Sequence, residues 1–254
     1  MTDFTLYPAI DLRAGKVVRL SQGDPNQQTI YADDPTQTVR RWLEAGAAWL
    51  HVVNLDGALE QPDEANRAAL KAILRAVRGS VSPDEADQPR VQYGGGVRSL
   101  EDIRHLLEAG VSRVVVGTVV VKSPTILTTA LEQYGPERVA VALDVRDGWV
   151  QVRGWQEASA FEVASLAQEL SKTGLRTLIY TNIQRDGTGQ GVDFSTAHHL
   201  AALTGLEVIA SGGVNSLEDL RRARSAGLSG VIIGRALYDG RIDLKEALLW
   251  AIQT

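Results

Sequence analysis

The sequence predicts a (β/α)8 barrel built from two similar half-barrels, and three observations carry that expectation. First, a β-α-β unit occurs twice. Residues 91–118 read VQYGGGVRSLEDIRHLLEAGVSRVVVGT and residues 207–235 read EVIASGGVNSLEDLRRARSAGLSGVIIGR, so Gly95-Gly96-Val97 falls on Gly212-Gly213-Val214 and Gly117 on Gly234, at an offset of 117. Second, eight short apolar runs, at 5–11, 49–54, 90–93, 112–116, 138–144, 176–181, 206–210 and 229–233, alternate with amphipathic stretches. That alternation is the pattern of parallel strands joined by crossover helices. Third, 254 residues at 44% hydrophobic suit one large core, so residues 1–254 read as a single barrel domain.

Taken in order, the first strand ends Pro8-Ala9-Ile10-Asp11. Asp11 is the first polar residue after the apolar run, where a barrel strand delivers a catalytic side chain to the C-terminal face; a turn or cap is the alternative. The segment 12–35, with Arg19, Gln22, Gly23 and the turn Gly23-Asp24-Pro25, reads as a lid or binding loop. Within it Arg19 either reaches a phosphate through its planar fork or is solvated. The second strand brings WLHVVNLDGA. His51 there is a satisfied interior side chain or a ligand-facing one, and Asp56 is a site residue or a turn former. The polar stretch 78–88 (RGSVSPDEADQ) reads as a surface loop without a role in chemistry.

In each copy of the repeated unit a serine (Ser99, Ser216) with acidic residues behind it marks a helix start. The glycines at the strand ends let backbone approach a ligand closely, and the N–H groups of the following helix favour an anion. Two such units make two phosphate cradles. The fifth strand ends at Asp144, and the turn Asp144–Gly148 leads into VQVRGWQ, with Arg153, Gly154 and Trp155; a tryptophan on that loop suits stacking on a flat heterocycle. The sixth ends Tyr180-Thr181-Asn182, followed by a glycine-rich loop, 184–191, in which Asp186 is either a turn residue with Gly187 or a carboxylate brought in when the loop closes.

The duplication extends beyond the glycine units: AIDLRAGKVVR around Asp11 is similar to ALDVRDGWVQVR around Asp144, and Ala47–Asn54 to Leu175–Asn182. Halves related by a pseudo-twofold set the first strand opposite the fifth and one cradle opposite the other. A small molecule with a phosphate at each end would then span the mouth. The absence of cysteine removes disulfides, thiolate catalysis and the usual zinc sites, and no metal is expected. A net charge of −5 argues against nucleic-acid binding, and no N-terminal apolar run suits a signal peptide or membrane span. A cytoplasmic, monomeric enzyme is the expectation.

PAIDL, KVVRL, GGGVRS, Gly117-Thr118, RGW, RDGT, ASGGV, SLEDL and IIGRALY together resemble, over essentially the whole chain, the phosphoribosylformimino-aminoimidazole carboxamide ribotide isomerases of histidine biosynthesis. The resemblance implies a (β/α)8 barrel, no cofactor, and an Amadori rearrangement of a substrate phosphorylated at both ends. By the same resemblance Asp11 is the base and Asp144 a second essential carboxylate. Asp186 is the mobile-loop carboxylate, and Thr181 goes with it; the acid is Asp144 or Asp186. Phosphate contacts fall on Gly95, Gly96, Gly117 and Thr118 at one end and on Gly212, Gly213, Gly234 and Arg235 at the other. Arg19, Arg98, Arg153 and Trp155 match positions that hold substrate. The chain departs from the family where Asn54-Leu55-Asp56 stands for Asp-Leu-Asp and Gly189–Asp193 for Leu-Ser-Gly-Pro-Asn. Other readings are a dual-specificity form that also isomerises phosphoribosylanthranilate, the sister cyclase, and a non-catalytic barrel that binds phosphorylated ligands. The cyclase pairs its first aspartate with a lysine where Arg19 stands.

Overall fold

The computed structural model describes residues 4–21, 24–80, 88–155 and 157–252. Eight parallel staves close on themselves: β1 (Thr5–Arg13), β4 (Trp49–Asn54), β5 (Arg90–Gly94), β6 (Arg113–Val116), β7 (Val139–Arg146), β10 (Thr177–Asn182), β11 (Glu207–Ser211) and β12 (Gly230–Ile233). Closure is made by β7 with β10 and by β12 with β1, both parallel. Helices follow the staves on the outside, so the predicted (β/α)8 barrel is the fold. A large apolar cluster fills the space between staves and helices, and a small one, including Tyr7, Val115, Ile179 and Ile232, fills the lumen. Among the described residues no helix is long and apolar enough to cross a membrane.

Four further strands lie outside the barrel, and they correct the expected loop at 12–35. The chain leaves β1 through the two-residue turn Ala14-Gly15, both at positive φ, into β2 (Lys16–Ser21) and β3 (Asp24–Ala32), an antiparallel ribbon. The β-branched Val17 and Val18 and the apolar-polar alternation over 18–21 suit a strand, and the φ-positive pair is the hairpin turn whose twist matches its flanking strands. Gln22 and Gly23 lie outside the described residues. The second half repeats the device: β7 turns at Asp147-Gly148, again both at positive φ, into β8 (Trp149–Val152) and β9 (Glu157–Glu162).

The helix starts follow the sequence closely. Ser99 and Ser216 cap α4 (Leu100–Ala109) and α9 (Leu217–Ser225), each with a complete capping box to Asp102 or Asp219. The expected 78–88 loop begins later, because α3 (Glu64–Gly79) runs through Arg78; residues 81–87 lie outside the described region.

Asp56, left open as site or turn residue, is structural. Buried in the short helix α2 (Leu55–Ala58), its Oδ2 accepts from Ala14 N (2.7 Å) and Asn66 Nδ2 (2.9 Å). Asn66 is fully buried; it donates also to Leu12 O and Asn54 Oδ1 and accepts from Gly15 N at 2.8 Å. Asn54 itself donates to Asp63 Oδ2 at 2.7 Å. An aspartate at 54 would face that carboxylate without a proton to give, so the departure from the common Asp-Leu-Asp fits its neighbour.

Candidate active site

Barrel register decides which side chains reach the mouth. Side chains alternate along a stave between lumen and outside, so Asp11 on β1, Asp144 on β7 and Thr181 on β10 stand on the upper lumen layer. They line one cavity of about 350 Å3 together with Arg19, His51, Gly95, Gly96, Arg98, Gly117, Thr118, Arg153, Trp155 and Asp186. Gly212, Gly213, Gly234 and Arg235 line a neighbouring cavity of about 50 Å3, which shares Arg19 and Asp186 with the first. The catalytic and phosphate-binding candidates thus meet at the C-terminal face, while Asp56 does not.

The two cradles are built alike. Gly95 and Gly212 have φ of +96° and +86°, and a Cβ on either would strike a backbone carbonyl, Asn54 O and Asn182 O respectively. Each glycine therefore tucks under the residue that ends the preceding stave, which no side chain would allow. The outer glycines Gly117 and Gly234 have negative φ. What Gly234 secures is room: a Cβ there would lie 2.6 Å from Arg19 Nη2.

The ribbon β2–β3 carries Arg19 back over β1. Its Nη1 donates to Asp11 Oδ2 at 2.6 Å and its Nη2 to Ala9 O at 3.0 Å, while its guanidinium stacks over Tyr238, whose hydroxyl also donates to Ala9 O. Arg19 is thus not solvated but held by the Asp11 carboxylate, while it also lines the cavity of the second cradle. Burial pushes the Asp11 carboxyl above its ordinary value, and the Arg19 charge pulls it back. Asp144 has no cation beside it. Burial raises it too, opposed only by hydrogen bonds from Trp155 and Thr181.

Trp155 reaches Asp144 through backbone that few residues adopt. Arg153, Gly154 and Trp155 are all at positive φ, and a non-glycine residue there signals strain kept for a purpose. Arg153 N donates to Thr118 Oγ1 at 3.1 Å, and its guanidinium faces Glu157 and Glu60 at the rim. Arg98 likewise turns to Gly57 O and Glu60.

The glycine-rich loop after β10 lies over the second cradle. Gly191 N donates to Gly213 O, and Arg235 Nη1 to Gly187 O at 2.9 Å. Asp186 is carried inward, where burial first, and then the charges of Asp11 and Asp144, push it up to about 6 against the pull of Arg19. His51 is buried on the cavity floor and held neutral, its pKa pushed down to about 3 by burial and by Arg19 and Arg113. Among the described residues no group of three side chains could hold a metal ion.

Sequence reading missed Tyr238, Asn215 and Arg241, whose Nη1 donates to Asn215 Oδ1 at 2.6 Å beside the second cradle. Tyr238 had a signal in its place three residues after Arg235. Asn215 stands within the repeat, where its counterpart is Arg98, and Arg241 lies beyond it; neither had such a signal.

The comparisons agree with this geometry. A family model described as "Histidine biosynthesis protein" matches residues 5–243. The chain belongs to that family. Relatives include proteins of Symbiobacterium thermophilum, 46% identical over 96% of this chain and 95% of their own, and of Geobacillus thermodenitrificans, 44% identical over 98% of both. A third, from Zymomonas mobilis, is 43% identical over all of this chain and 98% of its own. Each bears the name 1-(5-phosphoribosyl)-5-(5-phosphoribosylamino)methylideneamino imidazole-4-carboxamide isomerase. Family members so named are isomerases, and the matched span, residues 5–243, includes both cradles and all three mouth aspartates.

Proposed function

We propose that the protein catalyses the Amadori rearrangement of histidine biosynthesis, converting the phosphoribosylformimino-aminoimidazole carboxamide ribonucleotide from aminoaldose to aminoketose. The carrying observation is the set of three carboxylates between two matched glycine cradles, of which Asp11 alone is paired with a cation. The cradles suit the two phosphates. Remote binding of this kind orients the reacting carbons and so favours the transition state.

In this reading Asp186 gives its proton to the ring oxygen as the C1–O bond breaks and the nitrogen lone pair closes on C1, leaving an iminium ion there. Asp11, whose carboxylate form the Arg19 charge favours against burial, takes the proton from C2. The electrons of that C–H bond form a C1=C2 double bond and neutralise the imine nitrogen. The enaminol then loses its C2 hydroxyl proton and gains one at C1, giving the ketone. C2 is oxidised and C1 reduced within one molecule, so the step needs no external electron acceptor. Carboxyl groups whose environments push their pKa values apart can divide such acid and base work. Asp144, oriented by Trp155 and Thr181, holds a sugar hydroxyl.

The relatives quoted are named for the histidine-pathway reaction alone, which favours it over the reading extended to phosphoribosylanthranilate. The test is turnover by the purified chain on both aminoaldoses, followed by product absorbance. Conversion of the imidazole carboxamide substrate is expected; no conversion of it would overturn the proposal.

A further inference from the structure

Three residues of the first half-barrel form one polar rung inside the lumen. His51 on β4 pairs in register with Gln92 on β5, and Gln92 with Arg113 on β6. Arg113 Nη1 lies 3.2 Å from Gln92 Oε1, and Gln92 Nε2 lies 2.9 Å from His51 Nδ1. A guanidinium carries donors only, so the amide atom facing it is the carbonyl oxygen and the atom facing His51 is the NH2 group. That group donates, so Nδ1 must present its lone pair and the proton of the neutral ring sits on Nε2. Arg113 is itself fixed, its Nε donating to Glu137 O and its guanidinium 4.5 Å over the Trp49 ring.

The barrel does not require this rung. The equivalent positions of the second half, by the offsets that align Asn54 with Asn182 and Gly95 with Gly212, are Ile179, Ile209 and Gly230. They pair in the same register and hold no polar side chain. Burying an amide, an imidazole and a guanidinium where an apolar rung serves is a cost that needs a return. One atom of the rung is left over: among the described residues no group takes the Nε2–H of His51, and His51 lines the cavity floor with Ala9, Val115, Ala142 and Ile179.

We propose that Gln92 and Arg113 are positioning residues that lock His51 as the Nε2–H tautomer, so that it offers a hydrogen-bond donor, and no proton acceptor, to a sugar oxygen of the substrate. The donor's target rests on the function proposed above; the tautomer rests on the rung alone.

Ring 15N NMR on the full-length protein, with His51 assigned by its loss in His51→Gln, tests the lock. The expected spectrum has a bare Nδ1 and a protonated Nε2, constant from pH 5 to 8. In Gln92→Glu the new carboxylate, neutralised by Arg113, accepts from the ring and moves the proton to Nδ1. The kcat/KM should then fall roughly ten- to hundredfold, as for a buried donor lost in the transition state, with little change in Tm. If Gln92→Glu does not fold, Arg113→Met frees the amide to flip, and mixed tautomers with a loss of a few-fold are expected. A wild-type ring protonated at Nδ1 overturns the proposal. So does a Gln92→Glu enzyme with the proton moved and kcat/KM within twofold, or an Arg113→Met ring still locked at Nε2. Absence of wild-type turnover would count against the proposed reaction, while the spectrum would still decide the lock.

Discussion

The two half-barrels share a skeleton and differ in what they hang on it. In both, an aspartate stands two residues from the end of the first stave, a φ-positive hairpin turns the chain back, and an asparagine ends the next stave, donating to the aspartate at the N-cap position of a following helix: Asn54 to Asp63 and Asn182 to Asp193. The hairpins then diverge. One gives Asp11 a guanidinium, the other gives Asp144 an indole N–H. The connections diverge as well. Residues 55–63 coil into α2 and leave the first cradle open to a cavity of about 350 Å3, whereas the loop after Asn182 covers the second and leaves about 50 Å3. A duplicated frame thus supplies symmetric grips for the two ends of a ligand, and the unshared loops supply the asymmetry that acid–base chemistry needs.

The sharpest way to break this comparison is to exchange the carboxylates. Asp11→Asn is nearly isosteric and cannot accept a proton. Its loss of kcat should exceed the roughly 10²–10⁴-fold credited to one general catalyst, since no second base is placed there. If Asp186 is the acid, Asp186→Asn should remove the basic limb of the pH–rate profile while Asp144→Asn keeps it. A lost limb in Asp144→Asn alone would transfer the role. Next come the cradles: Gly96→Asp and Gly213→Asp each put a carboxylate where a phosphate is to bind and should lower kcat/KM by roughly a hundredfold or more. The second should also free the loop, because a Cβ at 213 would strike Gly191 O. Protease cleavage of the loop in Gly213→Asp but not in Gly96→Asp would mark that difference.

A stability measurement comes next in size. The folded value of about 6 for Asp186 lies above the roughly 3.9 of an unfolded aspartate, so the folded chain binds more protons between them. Its contribution is full below pH ~4 and is lost as pH rises through about 6. Asp186→Asn should flatten this slope, by at most about 3 kcal/mol, since loop opening can rehydrate the carboxylate. Denaturant midpoints at pH 4 and 7 for both proteins would check it. The smallest effect belongs to Trp155→Phe, which keeps an aromatic ring and drops one hydrogen bond to Asp144. It should cost about 1 kcal/mol, a few-fold in kcat/KM, with Tm nearly unchanged. A large fall in Tm at constant kinetics would make Trp155 a packing residue.

Much of this could be read in the chain because it is local or repeated. Strand alternation, the serine boxes at Ser99 and Ser216 and the paired glycines depend on residues a few positions apart, and the offset of 117 gave the cradles twice. Asp11, Asp144 and Asp186 were legible as polar residues ending apolar runs or sitting in a glycine-rich loop. Partners brought in by a hairpin were not. The pairing of Arg19 with Asp11 appears only once β2 folds back on β1, and the contact of Trp155 with Asp144 only once three left-handed residues aim its N–H. The Gln92–Arg113 rung needs the register of adjacent staves, which period alone cannot supply.

The turn Ala14-Gly15 has a consequence for motion. Its two amides lie at a surface hairpin, yet each is spoken for from across the fold, Ala14 N by Asp56 and Gly15 N by the buried Asn66. In the sister turn Asp147 N makes a 3.4 Å contact to Gln184 Oε1, and Gln184 Nε2 donates back to Asp147 Oδ1 at 3.0 Å, so its hold is on an exposed loop. In hydrogen–deuterium exchange the first turn should hold its protons until the α3 end of the barrel opens, and the second should lose them with local breathing alone. Two hairpins of one shape would then report on two different openings of the same molecule.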